Sequence, residues 1–371
     1  MSVELILGSD QYIWFVFSSF LIALECLLLL LLFPQRFLSI DVDAVNDITL
    51  DDARNAVMSQ MSPSNLEISV SGDFDVTEVL EMIYKYIGTV PADANKEYLK
   101  EEVSLEKGAA IGSVPALPTP GQYLEIELED SDPRAVAYVA GSAPNAWGYL
   151  SDGSTMVDHI AARDKRASDY DRQRRKHPLF GHVALLLISE IANRRLFSYV
   201  RERKQLTYDA NFSFTGFERL MGGFFLVTVT ASKENAAKAL QACKETLHNL
   251  RRNQRISPDN VESAKRVVLN RHDFELRTTA YWAQLMSGIQ EESVPLKGPL
   301  SFTDFKAVVE AITPTDLQLA LETLGIDDDE LYTAIGRTVQ TGKAADAGDE
   351  EEEPLVRQAP VMGMRRGQAL Q

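Results

Sequence analysis

The chain has 371 residues, of which 45% are hydrophobic and 25% are charged, so it is long and apolar enough for one large folded domain or two ordinary ones. Its net charge of −17 argues against a nucleic-acid partner, because phosphates need a basic surface, and it favours a cationic partner. Two cysteines, Cys26 and Cys243, are too few for a disulfide framework or a cysteine zinc site.

The chain opens with a hydrophobic segment, residues 1–35, whose apolar run at 12–33 contains a single charge, Glu25. As a helix this run would span about 33 Å, enough to cross a bilayer core. Three interpretations stay open: a genuine transmembrane anchor, a segment added by a misplaced gene start, or a cleaved signal. The absence of Lys and Arg before the run disfavours the signal. A membrane contact is expected only if the anchor is genuine.

Residues 36–340 are predicted to form one folded domain. Thr49 and Asp75 each begin a helix pattern, with an acidic residue three positions later. Residues 66–70 alternate as a strand does.

Polar segments interrupt and follow this domain. Residues 91–121 contain four prolines and predict a linker. Residues 151–176 predict a polar insertion, and the basic run 172–176 that ends it is expected to be solvated. Residues 341–371, acidic at 350–353, predict a disordered tail.

The centre of the domain alternates strand and helix patterns. Strands are predicted at residues 124–128, 135–140, 208–214, 224–231 and within 327–338, and helices at 183–199, 232–250, 257–286 and from Pro314. This alternation predicts an α/β (α+β) fold.

The five histidines give no sign of a metal centre. They are His159, His177, His182, His248 and His272. None lies in an H-x-x-E-H or H-E-x-x-H pattern, the spacing that places two imidazoles and a glutamate around one zinc. Residue chemistry alone therefore predicts no enzyme and no cofactor in this chain.

Residues 193–214, NRRLFSYVRERKQLTYDANFSF, resemble the C-terminal domain of the pitrilysin/insulinase zinc metallopeptidases. Further runs resemble the plastid (chloroplast) stromal processing peptidase branch of that family, in the same order and at similar spacing. These runs are residues 57–60, 71–74, 134–148, 177–181, 280–285, 293–295 and 327–336.

The resemblance implies a pitrilysin-type (LuxS/metallohydrolase-like) sandwich, a mixed sheet with helices packed on one face. It also implies that Arg201 and Tyr208 contact the substrate backbone and the oxyanion. From the residues alone, Arg201 is a cation at a helix end and Tyr208 an interior aromatic. Zinc is expected only in a partner or in a missing N-terminal half.

Two functions follow from the resemblance. The first is the substrate-binding portion of a metalloendopeptidase that processes basic transit-peptide precursors in the plastid stroma. It would be inactive alone and would need a zinc-bearing half, either in the same longer protein or in a separate subunit. The alternative is a non-catalytic peptide-binding or assembly subunit, membrane-tethered if residues 12–33 are an anchor.

Overall fold

The computed structural model describes residues 47–60, 68–90, 123–129, 134–217, 221–253, 255–287, 289 and 300–339. The apolar run at 12–33, the predicted linker at 91–121 and the predicted tail at 341–371 lie outside these residues. Within the described part of the chain, no helix has the length and apolarity needed to span a bilayer.

Two helices of the described part of the chain precede the sheet. They are α1 (Leu50–Gln60) and α2 (Val76–Met82), and α2 continues as a π-helical turn (Ile83–Ile87). The Asp52 amide donates to the Thr49 hydroxyl at 3.2 Å, and the Asp75 carboxylate accepts from two backbone N–H groups at 2.7 and 3.1 Å. Both predicted helix starts are confirmed. The strand predicted at 66–70 is absent from its described part, 68–70.

The described strands form one mixed sheet in the order β1–β5–β2–β4–β3. They are β1 (Tyr123–Glu129), β2 (Ala135–Ala143), β3 (Asp209–Phe214), β4 (Gly223–Ala231) and β5 (Tyr332–Val339). Strand β1 runs parallel to β5, and the other neighbouring strands are antiparallel. The predicted mixed sheet is confirmed.

The remaining described helices lie between β2 and β5 in the chain. They are α3 (Met156–Arg163), α4 (Asp169–Arg175), α5 (Phe180–Leu196), α6 (Ala236–His248), α7 (Pro258–Glu275), α8 (Thr279–Met286), α9 (Leu300–Thr303), α10 (Phe305–Ala311) and α11 (Pro314–Ala320). Helix α6 packs on β2 and β4, and helix α5 packs on β3 and on α7.

Strand alternation decides which face of the sheet the helices cover. In β4, Val227 and Val229 are buried in the same cluster as the helix side chains, whereas Thr228 and Thr230 on the other face are half-buried. Each such valine contributes roughly 1.5–3 kcal/mol on burial. Residues 135–140 of β2 are buried on both faces, which explains their uninterrupted apolar sequence.

The helix predicted at 257–286 is two helices, so its predicted length was wrong. Helix α7 ends at Glu275, and the Thr278 hydroxyl donates to the Glu275 carbonyl at 2.8 Å. The same hydroxyl accepts from the Tyr281 amide at 3.3 Å and so begins α8. A threonine side chain that satisfies backbone groups on both sides competes with a continuous helix.

The basic run at the end of the predicted insertion is only partly solvated: Arg172 and Lys176 are exposed as expected, but the expectation was wrong for Arg174 and Arg175. Arg175 is only 3% exposed, and its Nε donates to Asp316 Oδ1 at 2.7 Å. Arg174 donates to the other oxygen of Asp316 at 2.6 Å, and Arg175 also reaches Asp164 at 2.8 Å. These ion pairs tie α4 to the start of α11.

Candidate substrate-contact site

The C-terminal end of α5 is closed by a fixed turn. The helix continues as a π-helical segment, Phe197–Arg203. The Leu206 amide then donates to the Val200 carbonyl at 3.1 Å, while Gln205 adopts a left-handed φ of 54°. This bond, which spans six positions across a left-handed residue, satisfies a carbonyl that the helix end would leave unpaired. The turn therefore holds a set geometry between Arg201 and Tyr208.

Tyr208 points into solvent because the side chain of the preceding residue, Thr207, is buried and hydrogen-bonded. The buried Thr207 hydroxyl bonds the Thr230 carbonyl and accepts from the Asp209 amide at 3.0 Å. Successive residues of an extended chain point to opposite sides. Tyr208 is accordingly 88% exposed, and no described residue hydrogen-bonds its phenol. The interpretation of Tyr208 as an interior aromatic is wrong.

The Arg201 side chain is exposed, and stacking on an aromatic ring fixes its conformation. Its guanidinium carbon lies 4.8 Å from the centroid of the Phe197 ring, one turn earlier. Such a cation–π contact orients the group without using its N–H donors. Among the described residues none forms an ion pair or hydrogen bond with this guanidinium, so its donors are available to a ligand.

Asn193 fixes the helix end relative to β3, and sequence reasoning did not single it out. Its side-chain amide donates to the Phe212 carbonyl at 2.9 Å, and its carbonyl accepts from the Phe212 amide at 2.7 Å. The paired bonds occupy the outer backbone groups of the edge strand. The available signal was a polar side chain in a mostly apolar helix.

The segment around Arg201 is itself basic. Arg203 and Lys204 lie over the Tyr199 ring at 5.9 and 5.3 Å from its centroid, and Glu202 is the one acidic residue among residues 201–204. Guanidinium and phenol donors suit a peptide carbonyl or a developing oxyanion. They do not suit a cationic side chain, which would be repelled here.

The described residues do not fit a zinc ion. No group of three or more His, Cys, Asp or Glu among them could hold a metal. His177 bonds Asp304 at 3.1 Å, His182 bonds the Ala146 carbonyl at 2.9 Å, and His248 bonds the Ile326 carbonyl at 2.8 Å. These histidines serve separate structural contacts, so no catalytic step is assigned to a metal on them.

Residues 47–268 match the sequence profile described as Peptidase M16 inactive domain. The chain belongs to the M16 peptidase family. The matched M16 region includes both Arg201 and Tyr208. The resemblance to the pitrilysin/insulinase peptidases, drawn from residues 193–214, is confirmed.

The curated relatives of this M16 chain include two plant proteins. The chain is 35% identical over 356 residues to the chloroplastic stromal processing peptidase of Arabidopsis thaliana and 35% identical over 346 residues to that of Pisum sativum. These matches cover 91% and 90% of this chain but 27% of each relative. The chain thus spans about a quarter of the length of the relatives it matches.

Solved structures show the same fold. A peptidase M16 inactive domain from Pseudomonas fluorescens aligns with a TM-score of 0.58 at 16% identity, covering 85% of this chain and 65% of that one. A putative M16-like peptidase from Alicyclobacillus acidocaldarius aligns with a TM-score of 0.55 at 14% identity, covering 89% and 68%. The M16 sandwich expected from the sequence is confirmed.

Proposed function

We propose that this chain is the C-terminal, substrate-binding portion of a metalloendopeptidase resembling the stromal processing peptidases. One observation carries the proposal: Arg201 and Tyr208 flank one pinned turn, and both present unused donors to solvent. In a soluble domain an aromatic side chain that is 88% exposed contributes little to the core. Contact with a ligand explains its position beside an unpaired guanidinium.

In this role Tyr208 and Arg201 hold the backbone of an extended peptide. The phenol O–H donates to a carbonyl oxygen, and the guanidinium fork donates to a second one. The zinc and its activated water come from a separate zinc-bearing half, in the same longer protein or in a partner subunit. The chain by itself does not hydrolyse peptides.

The substrates are basic precursor peptides, and the site of action is the plastid stroma. Support comes from the net charge of −17, which attracts cationic peptides at long range, and from the chloroplastic relatives. Screening by salt distinguishes this long-range attraction from short contacts, because the Debye length is about 10 Å at 0.1 M.

The test is the affinity of a fluorescent, Arg-rich peptide for the full chain, followed by anisotropy at low and high salt. Tyr208→Phe and Arg201→Ala each remove hydrogen bonds and should weaken binding by roughly 0.5–3 kcal/mol at every salt concentration. Tyr170→Phe, at an exposed tyrosine on α4, and Arg203→Ala, two residues from Arg201, are the matched controls. If all four variants bind like the unchanged protein, Arg201 and Tyr208 do not contact the peptide.

A further inference from the structure

A cavity of about 430 Å³ lies where the first turns of α5 face the end of α7 and the start of α8. Its volume is within the usual range for ligand pockets, roughly 300–1,000 Å³. Along α5 and its π-helical continuation, about 28 Å of helix separates His182, in the cavity wall, from Arg201. The cavity is therefore distinct from the Arg201–Tyr208 site.

Aromatic rings form much of the cavity wall. The lining aromatic side chains are Trp147, His182, His272, Tyr281 and Phe305. The rings of His272 and Phe305 stack with centroids 4.1 Å apart, and Tyr281 meets His272 edge-on at 5.7 Å. Burial lowers the pKa of His272, which Asp273 only partly offsets, so this ring is neutral and adds a π surface rather than a charge.

Two polar atoms in this wall are left without partners. Trp147 Nε1 and His272 Nε2 are buried, and neither has a hydrogen-bond partner among the described residues. Buried polar groups of folded proteins are nearly always paired, so each unpaired one calls for an explanation. The Trp147 N–H needs an acceptor, such as a peptide carbonyl, whereas the neutral His272 ring can accept from an N–H donor in the neighbouring cavity.

Glu275 supplies the acidic group of the cavity. Its carboxylate is half-buried and forms no ion pair or side-chain hydrogen bond with any described residue. The guanidinium of Arg271, one turn earlier, forms an ion pair with Glu190 at 3.1 Å. Burial raises the pKa of Glu275, and Arg271 only partly counteracts this. A cation bound beside the carboxylate would relieve that electrostatic penalty.

We propose that this cavity binds the guanidinium of an arginine side chain in a bound peptide. A planar guanidinium stacks on aromatic faces and pairs with a carboxylate through two parallel hydrogen bonds, which matches rings surrounding one free Glu275. The inference rests on the proposed peptide-binding role. It also answers a difficulty of that role, since the Arg201 segment is basic and offers no place for a cationic side chain.

The experiment uses the full chain and acetyl-Ala-Arg-Ala-amide, a tripeptide too short to reach Arg201 from the cavity. Binding is measured by calorimetry and by the shift of the Trp147 indole N–H resonance. The citrulline counterpart has the same shape but no charge, and it should bind at least tenfold more weakly. Glu275→Gln should lower the affinity for the arginine peptide about tenfold and leave the affinity for the citrulline peptide unchanged. Asp273→Asn removes one exposed charge from the same helix outside the cavity and should change neither.

The outcomes separate this proposal from the peptide-binding role. Failure of the arginine tripeptide to bind, equal binding of arginine and citrulline, or a Glu275→Gln variant that binds normally overturns the cavity proposal. A loss of affinity for the longer peptide in Tyr208→Phe then still supports the Arg201–Tyr208 site. In the reverse pattern, Glu275→Gln binds the arginine tripeptide weakly and Tyr208→Phe binds the longer peptide normally. That result supports the cavity proposal and overturns the Arg201–Tyr208 site.

Discussion

Asp316 is the centre of the most deeply buried ion-pair cluster described in this chain, and its removal should be costly. The residue is 0% exposed, and its carboxylate accepts from Arg174 at 2.6 Å and from Arg175 at 2.7 Å. It also accepts from the amide and hydroxyl of Thr313 at 2.8 and 2.7 Å, which completes a capping box at the start of α11.

A second capping box in the same chain separates these contributions. Asp158 makes the same two bonds to Thr155, at 3.0 and 2.7 Å, but it is exposed and meets no arginine. Asp158→Ala should lower the free energy of unfolding by about 1 kcal/mol. Asp316→Ala should lower it by about 3–5 kcal/mol, because Arg174 and Arg175 each lose a fully buried carboxylate and keep only Asp171 and Asp164 as partners. The difference of about 2–4 kcal/mol is the part due to the arginines.

Urea unfolding followed by circular dichroism measures both values, provided that the slope m is unchanged. A difference below about 1 kcal/mol would show that the ion pairs of Arg174 and Arg175 with Asp316 add little to the free energy of unfolding. Burial raises the pKa of Asp316, but hydrogen bonds from Arg174 and Thr313 outweigh it and hold the pKa below its usual value. The stability from this group is therefore complete above the unfolded pKa of about 4 and is lost as the pH falls through the folded pKa. In Asp316→Ala the free energy of unfolding should therefore fall less steeply as the pH is lowered.

Two further predictions concern packing. A Cβ added at Gly181 would lie 2.5 Å from the Trp147 carbonyl oxygen and 3.0 Å from the Gly148 Cα, so Gly181→Ala should destabilise the protein by about 1–3 kcal/mol in urea unfolding. Gly216→Ala, where an added Cβ meets nothing within 4 Å, is the control, and equal urea midpoints for the two variants would contradict the reasoning. Burial raises the pKa of Cys243 to about 12, so alkylation of Cys243 by iodoacetamide at pH 8 should be at least a hundredfold slower in the native protein than in urea. Equal rates, read by peptide mass spectrometry, would show that the thiol is accessible.

Local sequence signals predicted most of the described elements. Period-two alternation located β4, and an unbroken apolar run located β2, because these patterns depend only on which faces are buried. The predicted helix start at residue 257 is confirmed: the Asn260 amide donates to the Ser257 hydroxyl at 3.2 Å, and Pro258 occupies the first helical position.

Long-range contacts could not be read from the sequence. Arg174 and Arg175 look like solvated surface residues until the fold brings Asp316 to them from 141 or more positions away. Of the candidate site, Arg201 and Tyr208 were named only through a family resemblance, since residue chemistry favoured structural roles for both. The cavity around Glu275 was missed because it is assembled from the loop before α3 and from four helices, α5, α7, α8 and α10.

The placement of β5 between β1 and β2 sets the order in which the sheet is completed. Strands β1 and β2 are consecutive in the chain, yet β1 pairs only with β5 in the described sheet. A ribosome adding 5–20 residues per second needs on the order of 10–40 s for the roughly 200 residues between β1 and β5. During that interval β1 lacks β5, its partner in the described sheet, and its half-buried Leu124 and Ile126 lack their final neighbour. A nascent chain halted before Tyr332 would accordingly hold β2, β3 and β4 together but leave β1 detached, a species prone to aggregation and suited to capture by chaperones.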